Sequence, residues 1–213
     1  LTTILEAIDI GFGYSPRVRL LNEWSASFRE GEVVGITGSS GRGKSTLLYL
    51  LGLMLRPDDG SLLVDGQPVH SLSDSYRSRL RAQKFGFVFQ DAVLDATRTV
   101  LDNVVETALY RGEARRDVVP LAMDLLERFG VQLRANAKPG QVSGGQAQRI
   151  ALCRALLGRP RILLADEPTG NLDSESAEVV VRAFREHAER GSVVLIVSHD
   201  AQLVARCDRS IAL

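Results

Sequence analysis

The chain has 213 residues, 26 basic and 26 acidic, with 45% hydrophobic and 24% charged side chains. That length supports a full core in one domain, or one domain with a subdomain, and the composition is that of an ordinary globular protein. A net charge of zero gives no global footprint for nucleic acid, and no apolar run reaches the roughly 18 residues a spanning helix needs.

The first residues, LTTILEAIDI, lack a basic stretch followed by an apolar one, so no signal peptide is expected. ILEAIDIGFGY and EWSASFRE alternate as paired antiparallel strands do. EVVGIT (32–37) is a short β-branched run that reads as a buried strand. STLLYLLGLML is apolar nearly all round, which predicts a buried helix. PDDG reads as a turn and SLLVDG as a further strand. The charged stretch SYRSRLRAQK (75–84) reads as a helix with a solvated face. Between Gln90 and Ser143 the pattern turns helical, in TVLDNVVETAL and in VVPLAMDLLERFG, which stops at Gly130. Pro120 is tolerable only near the start of that second helix. RILLADE and SVVLIVSHD are apolar runs typical of central parallel strands, with a helix over 174–190 between them. These elements predict an α/β fold: a mostly parallel central sheet, an N-terminal antiparallel β subdomain and an inserted helical subdomain. The expected division is one domain over 1–213, with a core of 1–90 and 160–213 and a helical part at about 91–159. Cys153 and Cys207 match no metal-ligand spacing and read as free thiols. Trp24 and the aromatics without a motif are expected in the core. Of His70, His187 and His199, only the last has a functional context.

GSSGRGKS fits the pattern G-x-x-x-x-G-K-[ST] at Gly38, Gly43, Lys44 and Ser45. The glycines let backbone N–H groups turn inward as an anion nest, and the following helix adds its positive end. Lys44 can reach β- and γ-phosphates, and the Ser45 hydroxyl can ligate Mg²⁺. Gly38, Ser39, Ser40, Gly41, Arg42, Gly43, Lys44, Ser45 and Thr46 form the expected nucleotide-binding loop. RILLADE would deliver Asp166 to a metal at the end of a buried strand, with Glu167 beside it as general base. Two adjacent carboxylates there are unfavourable as bare structure, because like charges repel and desolvation is expensive. VSGGQAQR (142–149) is a second glycine-rich helix start with a hydroxyl, hence a second phosphate cradle.

In that order and spacing, the motifs resemble the ATP-binding cassette (ABC) ATPases over essentially the whole chain, which are P-loop NTPases. VSGGQ resembles the family signature. The resemblance implies that Ser143, Gly144, Gly145 and Gln146 cap a nucleotide held by a second copy, so that two chains pack head to tail around two ATP molecules. It implies further roles residue by residue. Tyr14, with Phe12 as rival, would stack on adenine. Gln90, ending FGFVFQ, would touch Mg²⁺ and the attacking water and report to a membrane partner. Asp173 in GNLD would lie at the dimer seam, and His199 in VSHD would contact the γ-phosphate. Glu167, His199, Gln90 and Lys44 are then the catalytic set, and Ser45, Gln90 and Asp166 the metal set, Asp166 through water.

DEPTGNLD, GSSG, LLYLLG and ALYRG resemble the branch with macrolide exporters, lipoprotein-releasing ATPases, peptide-resistance pumps and the cell-division ATPase. The resemblance implies an ATP-hydrolysing subunit, with ATP and Mg²⁺, peripheral at the cytoplasmic membrane face. Its partner would be an integral membrane permease-type subunit, in a separate chain or a removed domain, and no direct nucleic-acid contact is expected. The alternative is an ABC ATPase acting on ribosomes or DNA. Arg42 stands where a small residue is common, and DAVLDATRTV (91–100) is less typical of the coupling region.

Overall fold

The computed structural model describes residues 2–15, 18–39, 41–170 and 172–213. Ser40 of the expected loop lies outside them. The chain builds two sheets. In the first, β1 (Thr3–Phe12) pairs antiparallel with β2 (Leu21–Arg29) on one side and β4 (Asp59–Val64) on the other. The short β5 (Gln67–Pro68) extends β4. In the second, five strands run parallel in the order β6 (Phe85–Val88), β7 (Ile162–Asp166), β8 (Val193–Val197), β3 (Val33–Thr37), β9 (Arg209–Ala212). β7 and β8 are buried along their whole length, which is why they read as unbroken apolar runs.

The alternation of side chains along a strand divides the interior into two cores. Leu163, Ala165, Val194 and Ile196 face a core shared with α3 (Val100–Tyr110), α4 (Arg115–Arg128), α5 (Gly144–Leu156) and α6 (Ser174–Glu189). Ile162, Leu164, Val193, Leu195 and Val197 face the other, shared with α1 (Lys44–Leu51) and the antiparallel sheet. The helix after the first glycine-rich loop and the helix opened by VSGGQ therefore lie on opposite faces of the parallel sheet.

Several local expectations are corrected. The helix expected over 45–55 ends at Leu51, and Leu53 turns the chain with φ +60. Asp59 and Gly60, read as turn, begin β4. Pro120 is the sixth residue of α4, deeper than expected. Its missing N–H leaves the carbonyl of Arg116 unpaired within the helix, on an exposed turn where water can take it. The helix that follows β5, α2 (Asp74–Lys84), is not simply solvated. Arg77 is 4% exposed and donates to the carbonyls of Leu53 (2.8 Å) and Leu55 (2.5 Å), satisfying groups freed where α1 ends. Trp24 is only half-buried, and Tyr76 and Tyr110 are exposed rather than in the core. Cys153 and Cys207 are free thiols. His187 is buried against the carbonyl of Pro160 at 2.7 Å.

Candidate functional site

The parallel strands end in register. Val88 pairs with Ala165, Asp166 with Val197, and Ile36 with Val197. The segments that leave these ends carry Gln90 after β6, Asp166 and Glu167 at β7, His199 after β8 and the first loop after β3. The carboxyl edge of a parallel sheet is where ligands bind in such folds.

The first loop is built around left-handed glycines. Gly43 caps α1 with φ +88 and ψ +18, a conformation that a side chain disfavours. Lys44, the first residue of α1, folds back across the loop and donates to the carbonyls of Gly38 (2.8 Å) and Ser39 (3.2 Å). The Arg42 N–H donates to the Ser39 carbonyl at 3.3 Å, and its side chain is exposed. Tyr14 stands beside the loop, its hydroxyl 3.1 Å from Thr46 Oγ1 and its ring edge-on to Phe12. Tyr14 is 67% exposed and Phe12 is buried, so of the two rings only Tyr14 has a face free for a base.

Asp166 is 4% exposed. Burial pushes its carboxyl above the usual range, and Glu167 adds to the rise, while the neighbouring Ser45 hydroxyl and Lys44 ammonium pull it back. A buried carboxylate beside a hydroxyl is a hard oxygen donor set of the kind Mg²⁺ accepts. Among the described residues no cluster of three His, Cys, Asp or Glu forms a complete metal cage. An ion that completes its shell with waters and phosphate oxygens fits that incomplete set. The raised pKa also sets a sign. The buried charge is a penalty on the fold, fully present above the folded pKa and absent below the unfolded one. Asp166→Asn should therefore melt higher than the parent without ligand at neutral pH, by about 2–4 °C per kcal/mol relieved. The gap should close as pH falls through the carboxylate range, and the variant should lose Mg²⁺-dependent stabilisation by ATP. Equal melting temperatures across that pH range would show the charge is not a burden.

Glu167 follows with φ +44, a left-handed backbone for a non-glycine residue, which costs about 1–3 kcal/mol. Its side chain is only 13% exposed and is held from three sides. Ser198 Oγ donates to Oε2 at 3.0 Å, and the His199 N–H donates to Oε1 at 3.1 Å. His199 Nδ1 lies 2.8 Å from Oε1. An ionised carboxylate only accepts, so Nδ1 carries the proton and Nε2 is left for another partner. The His199 side chain is 77% exposed and can offer that nitrogen outward. Ser198 was not singled out from sequence; a serine at a strand end gives no signal until the strand beside it is known.

Gln90 is exposed and lies two residues beyond β6, which ends at Val88 rather than at Gln90. Beside its segment runs a cleft of about 600 Å³, lined among others by Met54, Phe87, Phe89, Val93 and Tyr110. In VSGGQ, Ser143 is the N-cap of α5: Gln146 N donates to Ser143 Oγ at 3.2 Å, and Ser143 N donates to Gln146 Oε1 at 3.0 Å. That capping box accounts for two of the four residues as helix chemistry. It does not account for the glycines. A Cβ at Gly144 would meet nothing within 4 Å, and one at Gly145 only Leu172 at an ordinary 3.5 Å. Asp173 caps α6, accepting from Ser176 N at 2.8 Å. The structure thus brings Lys44, Ser45, Asp166, Glu167 and His199 to one sheet edge, and sets the VSGGQ helix on the other face of the sheet from α1.

Comparison with known proteins gives a consistent picture. The family described as ABC transporter matches residues 21–170. The lipoprotein-releasing system ATP-binding protein LolD of Bordetella pertussis is 44% identical over 211 residues, 97% of this chain and 91% of that protein. LolD of Shewanella denitrificans is 41% identical over 194 residues, 91% and 83% of the two chains. A dimeric post-hydrolysis state of the ATP-binding cassette MJ0796, bound to ADP and Pi, is similar in structure with a TM-score of 0.89 and 33% identity. That likeness covers 99% of this chain and 94% of the other.

Proposed function

The chain belongs to the ABC transporter family as an ATP-binding, ATP-hydrolysing subunit, and from that premise we propose that it works as a head-to-tail homodimer whose closure on ATP drives a membrane partner. The observation that carries the shared site is at Gly144 and Gly145, which nothing among the described residues requires to be glycine. Close approach of a partner's phosphate to the first N–H groups of α5 would require it. The relatives' names favour lipoprotein release as the partner's task, and nothing in the fold or the relatives favours a ribosome or DNA target.

In this reading the first loop and the end of α1 hold the phosphates, and Lys44 neutralises them. Ser45, Gln90 and Asp166 would hold Mg²⁺, which, when bound, would offset charge on the phosphate oxygens. Glu167 takes the proton of a water whose oxygen attacks the γ-phosphorus, as the bond to the β,γ-bridging oxygen breaks and ADP leaves. Ser198 and His199 fix the carboxylate that receives the proton. Tyr14 stacks on the base, and Asp173 lies at the seam. The helical part at about 91–159 carries VSGGQ to the opposite copy, and the cleft beside Gln90 receives the membrane partner. No helix among the described residues is long and apolar enough to cross a membrane. The place proposed for the chain is peripheral, at the cytoplasmic membrane face, where its partner would hold it.

Gly144→Ala tests the shared site. An alanine there meets no atom and replaces a helical glycine, so the variant should be as stable as the parent or up to about 1 kcal/mol more so. Its ATP affinity as a monomer should be unchanged, while ATP-driven dimerisation and turnover fall together. A loss of monomer affinity instead would place the signature in the chain's own site.

A further inference from the structure

Tyr14 is an exposed ring that is nevertheless held at two points. Its hydroxyl lies 3.1 Å from Thr46 Oγ1, across 32 residues of sequence. Its ring meets Phe12 edge-on, with centroids 5.1 Å apart and planes at 85°. Both supports are buried, Phe12 at 7% and Thr46 at 8% exposure. The backbone on either side of Tyr14 is pinned as well. Gly13 N donates to Asp58 Oδ2 at 3.0 Å, and Leu20 N donates to Phe12 O at 2.9 Å. A Cβ at Gly13 would stand 2.5 Å from Val18 O, so the chain closes tightly there.

Of these ties, the hydroxyl bond is the one that selects a side-chain rotamer. An exposed ring with one edge contact samples several rotamers, and ordering it costs conformational entropy. Burial does not offset that cost here, because most of the ring stays open to solvent. An aromatic face kept both open and oriented is what a planar ligand stacks on. The far end of the tie lies in a turn suited to phosphate. Thr46 is the third residue of α1, and the first bond of that helix runs from Leu47 N to Gly43 O at 2.8 Å. The N–H groups of Lys44, Ser45 and Thr46 therefore have no carbonyl partner in the helix and are left for an anion. One pair of hydroxyls thus joins a platform for a planar base to a turn for phosphate.

We propose that Thr46 is a positioning residue for the base: its side-chain oxygen sets the Tyr14 ring beside the phosphate-binding turn before a ligand arrives, and so tunes the site to a phosphate chain that carries a planar base over a phosphate chain alone. This rests on the reading of the first loop as a nucleotide site. Presetting the ring raises affinity by taking its ordering out of the binding step. Only a ligand that stacks on the ring gains from it. Inorganic triphosphate, which touches the loop alone, does not.

The test uses the full chain with Mg²⁺ and two probes, ATP titrated directly and inorganic triphosphate measured by competition against it. Tyr14→Phe keeps the ring and its contact with Phe12 and removes the hydroxyl. Thr46→Val keeps the branched shape and removes the other half of the bond. Each should weaken ATP about three- to tenfold, the worth of one net hydrogen bond, and leave inorganic triphosphate within about twofold of the parent. The double variant should be no weaker than the weaker single one, because both changes remove the same bond. Thr46→Ser, which keeps the oxygen, should bind ATP as the parent does. An ATP affinity within about twofold of the parent for Tyr14→Phe overturns the proposal, and so do losses that add in the double variant. An equal loss for ATP and inorganic triphosphate also overturns it, since Thr46 would then serve the phosphates and not the ring. If the parent binds neither probe, the nucleotide-site reading of the first loop fails first and takes this inference with it.

Discussion

Glu167→Gln binds ATP as tightly as the parent and turns it over about 10²–10⁴-fold more slowly. The expectation follows from where the carboxylate sits. It is at the end of β7, is only 13% exposed, and is the meeting point of Ser198 Oγ, the His199 N–H and His199 Nδ1. Three donors fix its position at the sheet edge, where the proposed mechanism has it receive the proton. An amide of the same size keeps the backbone at φ +44 under the same strain, so stability should change little. It keeps an acceptor oxygen for His199 and turns its NH2 group to the Ser198 hydroxyl oxygen, which can accept, but it cannot take a proton from water. Binding depends on the first loop, which the substitution does not touch. The closed dimer should then accumulate, and a gently solubilised membrane preparation should yield the variant together with a membrane protein. Phosphate release and equilibrium ATP binding are the two measurements. Turnover near the parent's would remove Glu167 from its role, and recovery with ribosomes or DNA and no membrane protein would redirect the function.

What the sequence could and could not reveal follows from the range of the interactions involved. The first loop was legible because the local backbone alone demands its glycines: Gly43 at φ +88 needs glycine whatever surrounds it. The strands β7 and β8 were legible because burial on both faces leaves no polar alternation to confuse them with anything else. The signature was legible as a helix start, since Ser143 and Gln146 cap each other within four residues. Arg77 was not legible, because its reason for burial is a pair of carbonyls at Leu53 and Leu55, more than twenty residues away. Ser198 was missed for the same cause, as its partner Glu167 follows the neighbouring strand, 31 residues away in sequence. Gln148 and Arg154 look like any polar positions of a helix until the carbonyls of Phe89, Ala92 and Val93, to which they donate, are seen beside them. The left-handed Glu167 has no sequence signal at all, since nothing local prefers it. Pro120 shows the converse error: the rule against proline inside a helix is a rule about the lost bond and the ring, and an exposed carbonyl at Arg116 softens the first of these.

Lys44→Ala is expected to lose nucleotide affinity on the order of a hundredfold and to keep its fold. The side chain has two duties that its geometry separates. Without nucleotide it lies across the loop and donates to the carbonyls of Gly38 and Ser39, at 2.8 and 3.2 Å. The Ser39 carbonyl is exposed and the Gly38 carbonyl half-buried, so water can replace the ammonium at the first and losing the tether costs about one hydrogen bond at the second. Toward nucleotide the same ammonium is a point charge at the start of α1, where the glycine-rich backbone also turns its N–H groups. Removing one charge-assisted contact to phosphate forfeits about 1.5–3 kcal/mol, and the loosened loop adds an ordering penalty on binding. Together these give the hundredfold figure, since each 1.4 kcal/mol is about a factor of ten. Lys44→Arg should not restore affinity. Its planar fork is longer and cannot fold onto both carbonyls while presenting one nitrogen to the phosphates. Nucleotide titration with a parallel thermal melt separates the cases. An affinity within about threefold of the parent would take Lys44, and with it the first loop, out of the binding site. A collapsed melting temperature would make the tether to Gly38 and Ser39 a structural tie instead.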